Sequence, residues 1–134
     1  MKAKQKKKIY KKTLEVFRDM MEFFPHDTIY TFHKLKELKE NDAGGHFAIQ
    51  YEPTTKHIDF YVYKNLYEEI PDLTKKQILW LLFSVAHEVG HLFIWELGEI
   101  VQRKYSHDLV EKTASDIAFL LVDLYKKKYE SSNF

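Results

Sequence analysis

His87-Glu88-Val89-Gly90-His91 lies inside an apolar run from Ile78 to Leu97, and the reading of that run decides the fold. The run has the length and character of a helix. On a helix, residues four apart share one face, about 40° apart around the axis, so the two imidazoles can converge on one point. Two neutral imidazoles suit a zinc ion held at about 2.0–2.1 Å. Glu88 follows the first histidine and can reach a water at that point without being a ligand, which is where a general base stands. The pattern therefore predicts metal-assisted hydrolysis. Mn, Fe or Co remain alternatives to zinc, because geometry and availability decide between them.

Helix signals frame the run. Thr74-Lys75-Lys76-Gln77 fits a capping box, with Thr74 as N-cap and Gln77 reaching back. Gly98 is a C-terminal stop. Leu79, Leu82, Phe83 and Ala86 should face the core. Gly90 has no side chain, which permits close packing at a cost of about 1 kcal/mol in helix propensity.

Upstream, Ile9 to Phe24 reads as a helix with Leu14, Phe17, Met21 and Phe24 on one face, ended by Pro25. Thr28 to Lys39 is read as a helix from the three-residue spacing of Ile29, Phe32, Leu35 and Leu38, although Ile29-Tyr30-Thr31-Phe32 has strand propensity. Asn41 to Gly45 is a loop. His46–Glu52 and His57–Tyr63 alternate as strands and pair through the loop Pro53-Thr54-Thr55-Lys56. Downstream, Asp108 to Tyr129 is a helix with a broad apolar face that includes Leu109, Ala114, Ile117, Leu120, Leu121 and Leu124. The expected architecture is α+β: a mainly helical, zincin-like single domain over residues 1–134, with a small antiparallel or mixed sheet beside the motif helix and a basic helix over residues 1–24.

At 134 residues, with 45% hydrophobic and 16% aromatic residues, the chain can bury a core. There is no cysteine, which excludes disulfides, thiolate ligands and a cysteine nucleophile. The first twelve residues, MKAKQKKKIYKK, lack a signal-peptide pattern, and the long apolar run is broken at Ser84, His87, Glu88 and His91. A soluble, cytoplasmic protein without membrane contact is expected. The lysines of both ends read as solvated helix termini, and no recognition-helix motif accompanies them, so direct nucleic-acid binding is not expected.

A catalytic zinc takes three protein ligands and keeps one position open. The third histidine of the extended metzincin motif would fall at Leu97, so that class is excluded. Glu111 is a candidate. It lies near the start of a helix that must pack on the motif helix, and small residues, Ala114 and Ser115, follow three and four positions later. Ser115 faces the same way and can hydrogen-bond the outer nitrogen of a ligand histidine. Against this, Asp108-Leu109-Val110-Glu111 resembles a capping box, and a first-turn Glu is favoured by the helix dipole. Asp116, Asp108, His107 and Glu96 are alternatives, with Asp116 turned about 140° from Glu111. His26, His33, His46, His57 and His107 lack ligand spacing and read as surface or turn histidines, with His46 and His57 at strand starts. An extended substrate is expected to pair with the strand His57–Tyr63. Tyr61, Tyr63, His107 and Arg103 are candidates to stabilise an oxyanion.

Phe83-Ser84-Val85-Ala86-His87-Glu88-Val89-Gly90-His91-Leu92-Phe93 resembles the active-site helix of the ImmA/IrrE metallopeptidases. Glu111-Lys112-Thr113-Ala114-Ser115-Asp116-Ile117-Ala118, followed by Leu121-Val122, resembles their second motif. Ser115 stands where the family commonly has Asn, Ile117 replaces an aromatic, and Asp123-Leu124 replaces a Met-Pro ending. The resemblance implies a zinc peptidase with His87, His91 and Glu111 as ligands and Glu88 as catalytic base. It further implies a protein substrate such as a helix-turn-helix repressor, cleaved in a bacterial, phage or mobile-element switch. The contrasting expectation is a zincin-like module that binds a protein partner without cleaving it.

Overall fold

The computed structural model describes residues 2–24, 27–34, 46–52, 54–96 and 106–129. Helix α1 (Ala3–Met21) starts six residues earlier than its apolar spacing suggests. Its first turns are lysine-rich and gain nothing from burial until Ile9. From there Ile9, Thr13, Val16, Phe17, Met20 and Met21 turn inward. Thr13 is tolerated in this stripe because its hydroxyl donates to the Ile9 carbonyl at 2.8 Å. Leu14 packs only partly against the core.

Residues 29–34, expected to be helical, form strand β1 (Ile29–Lys34). The three-residue spacing was a coincidence of alternation. Tyr30 and Phe32 point to one face and set their rings edge-on against Phe17, with centroids 5.5 and 5.8 Å away. Thr31 and His33 point to the other. β-Branched and aromatic side chains fit this half-buried pleat better than a helix. Leu35 and Leu38 lie outside the described residues.

The expected hairpin is present as β2 (Phe47–Glu52) and β3 (His57–Val62), with Ile49 opposite Phe60. β1 joins β3 in parallel, giving the strand order β1-β3-β2 in a mixed sheet. Phe47, Ile49, Ile58, Phe60 and Val62 are buried, and Phe60 stacks on Phe17 at 4.3 Å. The opposite face is polar. There Asp59 takes His33 Nε2 at 2.9 Å and lies 3.4 Å from His57 Nε2. Tyr61 stacks on His33 on that same face, away from the motif helix.

A single turn, α2 (Leu66–Glu69), leads to α3 (Lys75–Glu96), the motif helix of 22 residues. The Gln77 N–H bonds Thr74 Oγ1 at 3.3 Å, as a cap requires. Thr74's own N–H goes to Asp72 at 3.4 Å, the role assigned above to Gln77. By length and composition α3 is apolar enough to cross a membrane. Here its apolar residues Leu81, Leu82, Val85, Ala86, Val89 and Leu92 join the core with α1 and the sheet.

Helix α4 (His107–Tyr129) lies along α3 and buries Ala114, Ala118, Leu121, Val122 and Tyr125. The broad apolar face narrows in fact: Leu109, Leu120 and Leu124 stay exposed. The chain is thus an α+β fold, mainly helical among its described residues, with a three-stranded mixed sheet beside the motif helix.

Candidate metal centre

The closeness of α3 and α4 comes from two small residues. A Cβ placed on Gly90 would meet the Ala114 carbonyl oxygen at 2.6 Å and its Cα at 3.2 Å. The neighbour is backbone, which cannot rotate away. Gly90→Ala gains about 1 kcal/mol of helix propensity but overpacks the crossing, at about 1–3 kcal/mol. The expected outcome is a net loss of up to about 2 kcal/mol in chemical denaturation, with weaker metal binding as the helices part. Ala114→Gly in the same chain should not rescue it, because the obstacle is a carbonyl. Rescue would show that the crossing is set elsewhere.

This crossing brings the motif to Glu111. Glu111 Oε2 lies 2.8 Å from His87 Nε2, and Oε1 lies 3.2 Å from His91 Nε2. The two imidazole centroids are 4.9 Å apart and nearly perpendicular. Donor atoms of all three side chains lie within 4.8 Å of one another, and the group can hold a metal ion. Tetrahedral zinc with bonds of about 2.0 Å places its donors about 3.3 Å apart, close to these separations. Ser115 Oγ lies 3.1 Å from His87 Nδ1. With Nδ1–H donating there, the lone pair of His87 falls on Nε2, towards the centre.

Glu111 does not complete a cap. The Leu109 N–H bonds Ser106 Oγ at 3.2 Å, and the Val110 N–H bonds the Ser106 carbonyl at 3.0 Å. Ser106 therefore caps the helix, and Glu111 sits in its second turn. Of the alternative ligands, Glu96 is occupied elsewhere, bonded to the Tyr51 hydroxyl and to Lys56. Asp108 and Asp116 are exposed and do not join the cluster. His107 is nearest, with Nε2 4.0 Å from Glu111 Oε1, but its side chain is 83% exposed.

Charges follow from this packing. Burial pushes the Glu88 carboxyl up to about 7, and the Glu111 carboxylate adds to the shift. Burial holds His91 below the usual imidazole value, against the pull of Glu111, which favours the neutral, ligating form. Burial would raise Glu111, but His91 and His87 outweigh it and hold its carboxyl below the usual range.

The strand expected to receive a substrate is excluded by the topology. β3 is hydrogen-bonded on both sides, by β1 and by β2, so neither edge is available. Among the described residues β2 is an edge strand. The Tyr63 N–H bonds the His46 carbonyl at 2.9 Å. Antiparallel alternation then turns the backbone groups of Ala48 and Gln50 towards β3, and those of Phe47 and Ile49 outward. Phe47 and Ile49 line a cleft of about 300 Å3 with His87, Glu88, His91 and Glu111. A second cleft, about 460 Å3, lies on the Trp80 side of His87 and Glu88. No local sequence pattern pointed to it, because its walls come from three separate elements. Of the oxyanion candidates, Tyr61 faces the outer side of the sheet, and Arg103 lies outside the described residues, as does His26.

The chain matches no protein-family model, no curated protein and no solved structure.

Proposed function

We propose that the protein is a zinc-dependent endopeptidase of the ImmA/IrrE type, acting on a partner protein in the cytoplasm. The observation that carries this is the convergence of His87 Nε2, His91 Nε2 and the Glu111 carboxylate, with Glu88 half-buried in the same cleft. A zinc ion at these ligands would polarise a scissile carbonyl and acidify a water. Glu88 is the general base that takes the water's proton and then delivers it to the leaving amine. The outward N–H and C=O of Phe47 and Ile49 hold an extended substrate backbone across the centre. By the family resemblance the substrate is a helix-turn-helix repressor, and cleavage releases its genes in a bacterial, phage or mobile-element switch.

A metal-holding binding module would close the fourth position with another ligand and would have no use for a desolvated carboxylate at Glu88. The test is direct. The purified chain should bind one zinc and cleave an unfolded protein substrate. A chelator should abolish cleavage and added zinc restore it. Stoichiometric zinc with no cleavage of unfolded protein or of a neighbouring repressor would overturn the peptidase reading in favour of the module.

A further inference from the structure

The cleft of about 460 Å3 shares His87 and Glu88 with the metal centre but extends away from the ligands. Its walls are aromatic: Phe47 from β2, Trp80 and Phe83 from α3, and Phe119 from α4. Its remaining lining includes the small residues Ser84, Ser115 and Ala118. His46 stands edge-on to Trp80 at 4.9 Å, with Nε2 turned to Glu69 at 3.6 Å. Phe119 closes the rim edge-on against Phe83 at 5.0 Å, yet it is 63% exposed. A large aromatic left in water beside a cleft gains by being covered. The volume falls within the range of ligand pockets, about 300–1,000 Å3. Among the described residues, no lysine or arginine lines the cleft to receive a substrate carboxylate. Among the described residues its one carboxylate is Glu88, which also lines the cleft at the metal centre.

We propose that this cleft is the specificity pocket for a large apolar side chain, aromatic or leucine-sized, on the substrate residue next to the scissile bond. The inference rests on the peptidase reading and deepens it. The register also gives the side. The cleft opens at the His46–Phe47 end of β2, whereas Ile49 lies beside His91 and Glu111. A substrate added antiparallel to β2, the stabler pairing, reaches Ile49 first and Phe47 later in its own chain. The pocket therefore takes the residue on the leaving-amine side. The substrate class is a protein segment that can be drawn out as a strand and carries Phe, Tyr, Trp, Leu or Met directly after the cleaved bond.

Binding tests this without requiring turnover. The probes are two succinyl hydroxamates that carry a benzyl or a methyl group in place of that residue's side chain. They are titrated into the zinc-loaded full chain, and zinc content is measured on the same sample. The benzyl compound should bind about 30-fold tighter, the burial of one phenyl ring. Phe119→Asp should cut that preference to about fivefold or less, with the methyl compound unchanged. Ser84→Leu, which puts a larger side chain on the cleft's lining, should remove the preference in the same way. Equal binding of the two compounds, or a preference that survives both substitutions, overturns the pocket and leaves the peptidase reading standing. Failure to hold zinc overturns both.

Discussion

Glu88→Gln is expected to lower peptide hydrolysis by about 10²–10⁴-fold, the contribution of a positioned acid–base group, with zinc content unchanged. Glutamine keeps the shape of the side chain but cannot accept the proton. Glu88 is not among the three converging ligands, so the metal should stay. A second readout follows from burial. In the metal-free chain the Glu88 carboxyl titrates at about 7 instead of 4.5. Between those values the folded state binds the extra proton, so stability falls as pH rises through that window. Above it, the ionised, desolvated carboxylate costs about 3 kcal/mol. The metal-free Glu88→Gln chain should therefore be more stable than the parent at pH 8 and nearly equal at pH 4, read from denaturation midpoints. The same side chain should thus cost stability and supply activity, a trade expected of catalytic groups. Retained hydrolysis would remove Glu88 as the base, and equal stability at pH 8 would remove its desolvation.

Helix α3 and its partner α4 were legible in the sequence because their signals are local. The motif, the cap at Thr74 and the apolar periodicity agree with one another. Glu111 was readable as a candidate because Ala114 and Ser115 follow it on the same helix. What failed depended on partners distant in the chain. β1 has the spacing of a helix and the residue types of a strand. The choice was made by β3, paired with it from Ile29 opposite His57 to Lys34 opposite Val62. The substrate strand was misplaced for the same reason, since strand order decides which edge is free. Leu109, Leu120 and Leu124 belong to a wide apolar stripe on α4, and periodicity cannot say which part of such a stripe meets a partner. The aromatic cleft joins Phe47, Trp80, Phe83 and Phe119 across three elements, so no window of sequence contains it.

Glu111→Ala is expected to weaken zinc binding by at least about 100-fold, because even groups that only orient a ligand contribute about 10–100-fold. Two imidazoles on one helix remain, but the carboxylate that approaches both Nε2 atoms is gone. The loss should appear in a competition titration against a chromophoric chelator, and hydrolysis should fall with it. His107 complicates the outcome in a testable way. Its Nε2 lies 4.0 Å from Glu111 Oε1, and its exposed side chain is free to swing towards a ligand position left open. Partial retention of zinc in Glu111→Ala that disappears in Glu111→Ala/His107→Ala would identify His107 as the substitute. In an otherwise intact chain, His107→Ala should leave zinc stoichiometry and hydrolysis near the parent's, since three ligands remain. If His107→Ala alone released the metal, His107 would be a fourth ligand. The site would then be closed, and a structural ion in a binding module would be the better account. If Glu111→Ala and the double variant both kept zinc at the parent's affinity, the third ligand would lie among residues other than these two.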